Sequence, residues 1–157
     1  MIVLNFEEVK SNRRKWIDFL REDGRKKAVD ALDVGNEERC CLGHACFVLG
    51  VERHVSVSQE NSNGIFYGKG RNCGQAPIEL IELVGLRNGS GSFAPFTFAV
   101  EMNLRSLMIT SLAELNDKTN YTPKEIGDFI ESHYGHVFLS EGEYMEKYEV
   151  VSPWTLR

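Results

Sequence analysis

Cys40, Cys41 and His44 form the tightest group of chemically capable side chains in this 157-residue chain. The two thiols stand just ahead of an apolar stretch with helical spacing. A helix N-terminus offers unsatisfied N–H groups and about half a positive charge, which favours a thiolate. Arg39 adds a neighbouring cation. His44 follows Cys40 by four residues and Cys41 by three, so it can share a helical face with either. A Cys–His pair whose imidazole is oriented by Asn116 or Asp117 is a layout for nucleophilic or acid/base chemistry. The same residues also admit a plainer reading, because free cysteine is among the most buried residue types. Cys46 lies on the inward stripe and belongs to the core. A metal site built from Cys40 or Cys41, His44, Cys73 and Asp117 lacks paired Cys-x-x-Cys or His-x₃₋₅-His spacing. No cofactor is expected.

The cations form a second group. Residues 10–27 hold eight Lys and Arg against Asp18, Glu22 and Asp23. That stretch is therefore +5 inside a chain of −5, and the remainder carries −10. An anion site around Arg25 and Lys26 is one reading; a solvated helix face is the other. Gly68-Lys-Gly-Arg-Asn-Cys-Gly74 places Lys69 and Arg71 on a glycine-rich loop beside Phe66 and Tyr67. It lacks the Gly-x-x-x-x-Gly-Lys-Ser/Thr pattern of a Walker loop, yet a basic loop of this kind suits a phosphate group. Asn116-Asp117 reads either as a turn and cap or as a polar pair facing a pocket, with Asn116 reading a base edge.

Several elements must position these residues. A first helix is expected over Glu7–Glu22, with Val9, Trp16, Phe19 and Leu20 on one side. A second begins near Cys41–Leu42, where Leu42, Ala45, Cys46 and Leu49 fall at i, i+3, i+4 and i+7. A third starts at Pro77 and stops at Gly85. Thr122-Pro-Lys-Glu125 matches a capping box, followed by an inward stripe of Ile126, Phe129, Ile130 and His133. A fifth helix is expected over Leu104–Leu115. Val55–Ser58 and Gly64–Gly68 suggest a hairpin across the Asn61–Gly64 turn, with weaker strands at Phe93–Val100 and Glu149–Val151. The order predicts an α+β fold over a single domain, residues 1–157, with four to five helices on a small antiparallel sheet.

Composition bounds the rest. With 42% hydrophobic and 26% charged residues and a mean hydropathy of −0.29, the chain falls in the globular range. The net charge of −5 disfavours a nucleic-acid polymer or an anionic membrane as partner. No stretch has the apolar length of a membrane span, and no secretory leader pattern is seen. The four cysteines suit a reduced, cytoplasmic setting better than a disulfide scaffold.

The pieces Lys15-Trp16, Cys40-Cys-Leu-Gly-His-Ala-Cys46, Pro77…Val84-Gly-Leu86 and Leu112-Ala-Glu-Leu-Asn-Asp117 with Thr122…Glu125-Ile126 together resemble an uncharacterised family of small bacteriophage and prophage proteins. In that family a Cys-Cys-Leu-Gly-x-x-Cys segment follows a Trp-bearing helix, and a Leu-Asn-Asp segment precedes a Thr/Ser-x-x-Glu-Ile helix. The similarity covers Trp16 to Glu131. His44 departs from it, standing where an aliphatic residue is usual. The resemblance implies a phage-borne accessory protein active in the host cytoplasm. The function expected by analogy is counter-defence: binding, sequestering or degrading a small phosphate-bearing nucleotide, such as a cyclic dinucleotide or a cyclic ADP-ribose derivative. Arg25, Lys26, Lys69, Arg71 and Asn116 would bind it, and Cys40, Cys41, His44 and Asp117 would act in its degradation. Alternatives are a protein–protein inhibitor using the acidic run Glu141, Glu143, Glu146 and Glu149, and a cysteine-dependent hydrolase.

Overall fold

Asn5 opens the first helix by accepting the Glu8 N–H, and the computed structural model describes the chain from there over residues 5–56 and 64–148. Helix α1 (Phe6–Leu20) buries Val9, Arg13, Trp16, Ile17 and Leu20 along one stripe. It lies at the centre, packed against α2 (Cys41–Val48), α3 (Ile78–Val84) and α5 (Pro123–Ser132). The main core gathers Trp16, Leu42, Leu80, Val84, Leu112, Leu115, Ile126, Ile130 and Phe138. A smaller cluster of Val9, Leu139 and Tyr144 seats α7 (Glu141–Lys147).

Local signals explain the helix ends. Thr122 and Glu125 form the reciprocal capping box, and Pro123 opens α5, as expected from the sequence. Pro77 is the N-cap of α3 and not its first helical residue, and Gly85 ends it with φ of +73°. A second capping box, Ser140 with Glu143, starts α7. That helix and the single turn α6 (Tyr134–Val137) were not expected.

The fold is α+β, with its strands in three small sheets. Strand β1 (Lys26–Lys27) runs parallel to β3 (Glu38–Arg39), and β2 (Asp33–Gly35) runs antiparallel to β3. The first sheet is therefore mixed, where an antiparallel one was expected. The second sheet is a hairpin of β4 (Arg53–Val55) with β5 (Ile65–Tyr67); the second strand lies within the expected Gly64–Gly68, while the first precedes the expected Val55–Ser58 and shares Val55 with it. Residues 57–63, which include part of the expected Val55–Ser58 strand and of the expected Asn61–Gly64 turn, lie outside the described residues, as does the strand expected at Glu149–Val151. The third, β6 (Phe98–Met102) with β7 (Arg105–Ile109), corrects the helix expected over Leu104–Leu115. Asn103 and Leu104 both take positive φ and close this hairpin in two residues. Only after it does α4 (Leu112–Lys118) begin, capped by Ser111. No helix among the described residues is long and apolar enough to cross a membrane.

Candidate functional site

The chemistry expected at Cys40, Cys41, His44, Asn116 and Asp117 depends on the start of α2, and the fold does gather these residues there. Cys40 is the N-cap of α2; its Sγ accepts the Gly43 N–H at 3.3 Å. Cys41 is 1% exposed, and its Sγ points to the Leu112 carbonyl at 3.8 Å. Asn116 is fully buried in the last turn of α4. Its Oδ1 accepts the Cys41 N–H at 3.0 Å, and its Nδ2 donates to the Ala28 carbonyl and to Asp117 Oδ1, both at 2.8 Å. Asp117 Oδ1 also accepts the Asp30 N–H at 3.1 Å. Lys27 closes the group by donating to the carbonyls of Asn116 and Thr119, each at 3.0 Å. Trp16 Nε1 donates to the Cys41 carbonyl at 2.9 Å. A side chain at position 43 would strike the Leu32 carbonyl, so glycine is required for this approach.

This assembly locks α1, α2 and α4 to the segment around residues 26–30; its thiols are not activated. Burial pushes the Cys40 thiol up to about 12, against a usual value near 9, and raises Cys41 as well. Desolvation of a thiolate in the core outweighs the helix N-terminus that favours it. The lowered thiol pKa expected from the sequence is thereby corrected. His44 has no solvent exposure. Its Nε2 donates to the Lys26 carbonyl at 2.6 Å, a tautomer assigned from that partner. Burial, with Arg39 and Arg25 nearby, lowers its pKa to about 4, so the ring is neutral. No hydrogen bond joins its side chain to either thiol among the described residues.

The expected cations separate. Arg25 pairs with Glu22 and stacks on the Phe19 ring at 3.5 Å. Lys26 is exposed and offers its backbone to His44. Arg39, thought to favour a thiolate, instead lies 3.4 Å from the buried Asp33 carboxylate. Tyr67 Oη donates to the same carboxylate at 2.6 Å, and Arg53 reaches it at 3.1 Å. Burial alone would raise the Asp33 pKa; the Tyr67, Gly35 and Arg53 donors outweigh it and hold the group ionised. Lys69 and Arg71 occupy the turn that directly follows Tyr67 at the end of β5, where the Lys69 N–H donates to Glu79 Oε2 at 2.7 Å. Cys73 is exposed. No three His, Cys, Asp or Glu side chains converge as a metal site among the described residues.

Two features escaped the sequence. Arg13, counted among the surface cations, is 1% exposed. Its guanidinium donates to the carbonyls of Val84 at 2.6 Å and Leu139 at 2.9 Å and to Tyr134 Oη at 3.1 Å. The signal was available, because residue 13 falls on the stripe of residues 9, 16, 17 and 20. The second feature is a cleft of about 820 Å³ between the end of α2, the start of β4, the Gly68–Gly74 turn and α3. Leu49, Val51, Ile78 and Leu83 supply apolar walls, while Lys69, Glu52, Glu79 and Glu82 supply the charges. Such a volume lies in the range of roughly 300–1,000 Å³ that small-molecule sites occupy. Of the expected ligand-binding residues, Lys69 alone lines this cleft. Comparison of the chain with family models, curated proteins and solved structures finds no match to any of them.

Proposed function

We propose that the chain acts by capture: it sequesters a small nucleotide signal of the cyclic-dinucleotide or cyclic ADP-ribose class, as a phage-type accessory protein directed against host defence. The observation that carries this reading is the cleft on α3. Its apolar walls suit a base, its carboxylates accept N–H groups, and Lys69, with Arg71 on the same turn, offers cations to phosphate. Capture is favoured over degradation because Cys40, Cys41 and His44 are enclosed, with both thiols raised and the imidazole neutral. Lys27 and Asn116 are likewise engaged with backbone groups.

Isothermal titration calorimetry against cyclic dinucleotides and cyclic ADP-ribose isomers tests the reading, with product analysis by mass spectrometry. Binding without turnover is expected, and Ile78→Asp should abolish it; Ile78 is 66% exposed, so the variant should fold. Heats of zero across the panel would end the proposal. The second reading, an inhibitor that docks on a basic protein, draws on Glu141, Glu143 and Glu146, which stand exposed on α7. One stoichiometric host protein retained by the wild type and lost from the triple Gln variant would favour it.

A further inference from the structure

The turn between β5 and α3 is fixed before any ligand arrives. Tyr67, fully buried, anchors it through the Oη bond to Asp33. Tyr67 and Asn72 exchange both backbone N–H···O bonds, at 2.9 and 3.0 Å. Inside this pair the Gly68 N–H donates to the Glu52 carbonyl at 2.8 Å, and the Arg71 N–H donates to the Gly68 carbonyl at 3.1 Å. Glu79 adds a strut from α3, its Oε2 accepting the Lys69 N–H at 2.7 Å. Gly68, at φ of +78°, packs so tightly that a Cβ there would lie 2.7 Å from Pro77 Cβ.

One donor is left over. Of the backbone N–H groups from 67 to 72, that of Gly70 alone has no acceptor among the described residues, and Gly70 lines the cleft. Lys69 and Arg71 flank it. Both are exposed, and neither makes an ion pair among the described residues. Arg71 takes a left-handed conformation, with φ of +53°, which glycine would adopt with less strain. A cation stands there all the same. One free N–H between two unpaired cations matches the oxygens of a phosphate, which accept hydrogen bonds and carry the opposite charge.

We infer that Lys69, Gly70 and Arg71 form the phosphate subsite of the cleft, and that Glu79 is a positioning residue that holds the subsite in place through the Lys69 backbone. This deepens the capture reading and rests on it. Glu79 acts through its hydrogen bond and against its charge, because a carboxylate beside an anion site repels the ligand. That opposition separates the two effects. Charge alone predicts that any neutral residue at position 79 tightens phosphate binding. Positioning predicts that glutamine, which keeps an acceptor for the Lys69 N–H, binds at least as tightly as glutamate, whereas alanine binds more weakly.

The test uses the full chain and calorimetry with cyclic di-AMP, cyclic di-GMP and cyclic ADP-ribose. The most tightly bound of these is followed from about 0.05 to about 0.5 M sodium chloride, a range over which exposed charge contacts are screened. Affinity should fall as salt rises. Lys69→Gln and Arg71→Gln should each weaken binding about tenfold at low salt, the effect of losing a charge-assisted hydrogen bond, and should flatten the salt dependence. Glu79→Ala should lose a similar factor and Glu79→Gln should restore it. Circular dichroism checks that Glu79→Ala is folded. If it is not, Glu79→Asp, which keeps the charge and shortens the reach, is measured in its place and should weaken binding. Binding that ignores salt, or that Lys69→Gln and Arg71→Gln leave unchanged, would overturn the subsite and leave capture standing. Folded Glu79→Ala that binds as tightly as Glu79→Gln would remove Glu79 as the positioning residue. No binding by any of the three probes would overturn both readings.

Discussion

Replacing Arg13 with methionine should destabilise the protein by about 3 kcal/mol. The guanidinium serves three acceptors from three parts of the chain: the Val84 carbonyl, the Leu139 carbonyl and Tyr134 Oη. Methionine keeps much of the aliphatic stem against Phe6, Tyr134 and Phe138, whose rings now lie 4.5–5.3 Å from the guanidinium carbon. It supplies no donor. Tyr134 can turn to water, but the two carbonyls are buried, and each unmet acceptor costs roughly 1–3 kcal/mol. Against this, the buried cation no longer has to be desolvated, which returns part of the loss. Unlike a buried ion pair, the partners are backbone groups that no substitution removes, so full recovery is not expected. Urea unfolding followed by circular dichroism measures the difference. In a chain of this size the melting temperature should drop by about 6–12 °C, at roughly 2–4 °C per kcal/mol. Arg14→Ala is the contrast: its pair with Glu131 at 2.8 Å is nearly half exposed on both sides, and such pairs contribute at most about 1 kcal/mol. A stability loss for Arg13→Met no larger than for Arg14→Ala would refute the argument.

Three further outcomes follow from the geometry. Ellman's reagent should titrate one thiol rapidly in the native protein, Cys73, and all four only in urea, because Cys40, Cys41 and Cys46 are buried; fast reaction of two or more native thiols would contradict the enclosure at α2. Since His44 has a folded pKa near 4 against 6.5 when free, its contribution is complete above about pH 6.5 and is lost as the pH falls toward 4. Stability should fall by roughly 2 kcal/mol from pH 7.5 to 5, and His44→Gln should flatten that slope. Leu104→Gly should stabilise the β6–β7 hairpin by about 0.5–1 kcal/mol, because a left-handed leucine costs ~1–2 and glycine's extra chain entropy offsets part of the gain. A lower melting temperature for this variant would show that the fully exposed leucine makes a contact worth more than its strain.

Helices with local punctuation were legible in the sequence. Thr122, Pro123 and Glu125 define the start of α5 within four residues of chain, and Gly85 marks the end of α3 because only a left-handed residue closes it. The β6–β7 hairpin was hidden for a matching reason. Its two-residue turn has leucine where glycine is the usual signal, and Leu104, Leu107, Met108, Leu112 and Leu115 fall at the i, i+3, i+4, i+8 and i+11 spacing of a helical stripe. Strands β1, β2 and β3 are two or three residues long, too short for any period to show. The proximity of His44, Asn116 and Asp117 to the two thiols was anticipated, but the direction of the thiol pKa was not. Helix-end charge is visible in a sequence, whereas the depth of burial that overrides it depends on what packs above. The cleft was illegible in the same way, since Leu49 and Val51 meet Ile78 and Leu83 only through tertiary packing.

The Arg13 clamp also sets an order of events during synthesis. Its acceptors lie 71 and 126 residues further along the chain, so α1, made first, waits for residue 139 before its buried charge is satisfied. Translation at about 5–20 residues per second makes that wait several seconds or more. Over that interval an amphipathic helix with an unsatisfied guanidinium on its apolar stripe must stay in solvent or in the care of a chaperone. Arg13 keeps the stripe hydrated until its partners exist, and a leucine in its place would leave the nascent helix stickier at the moment it is least protected.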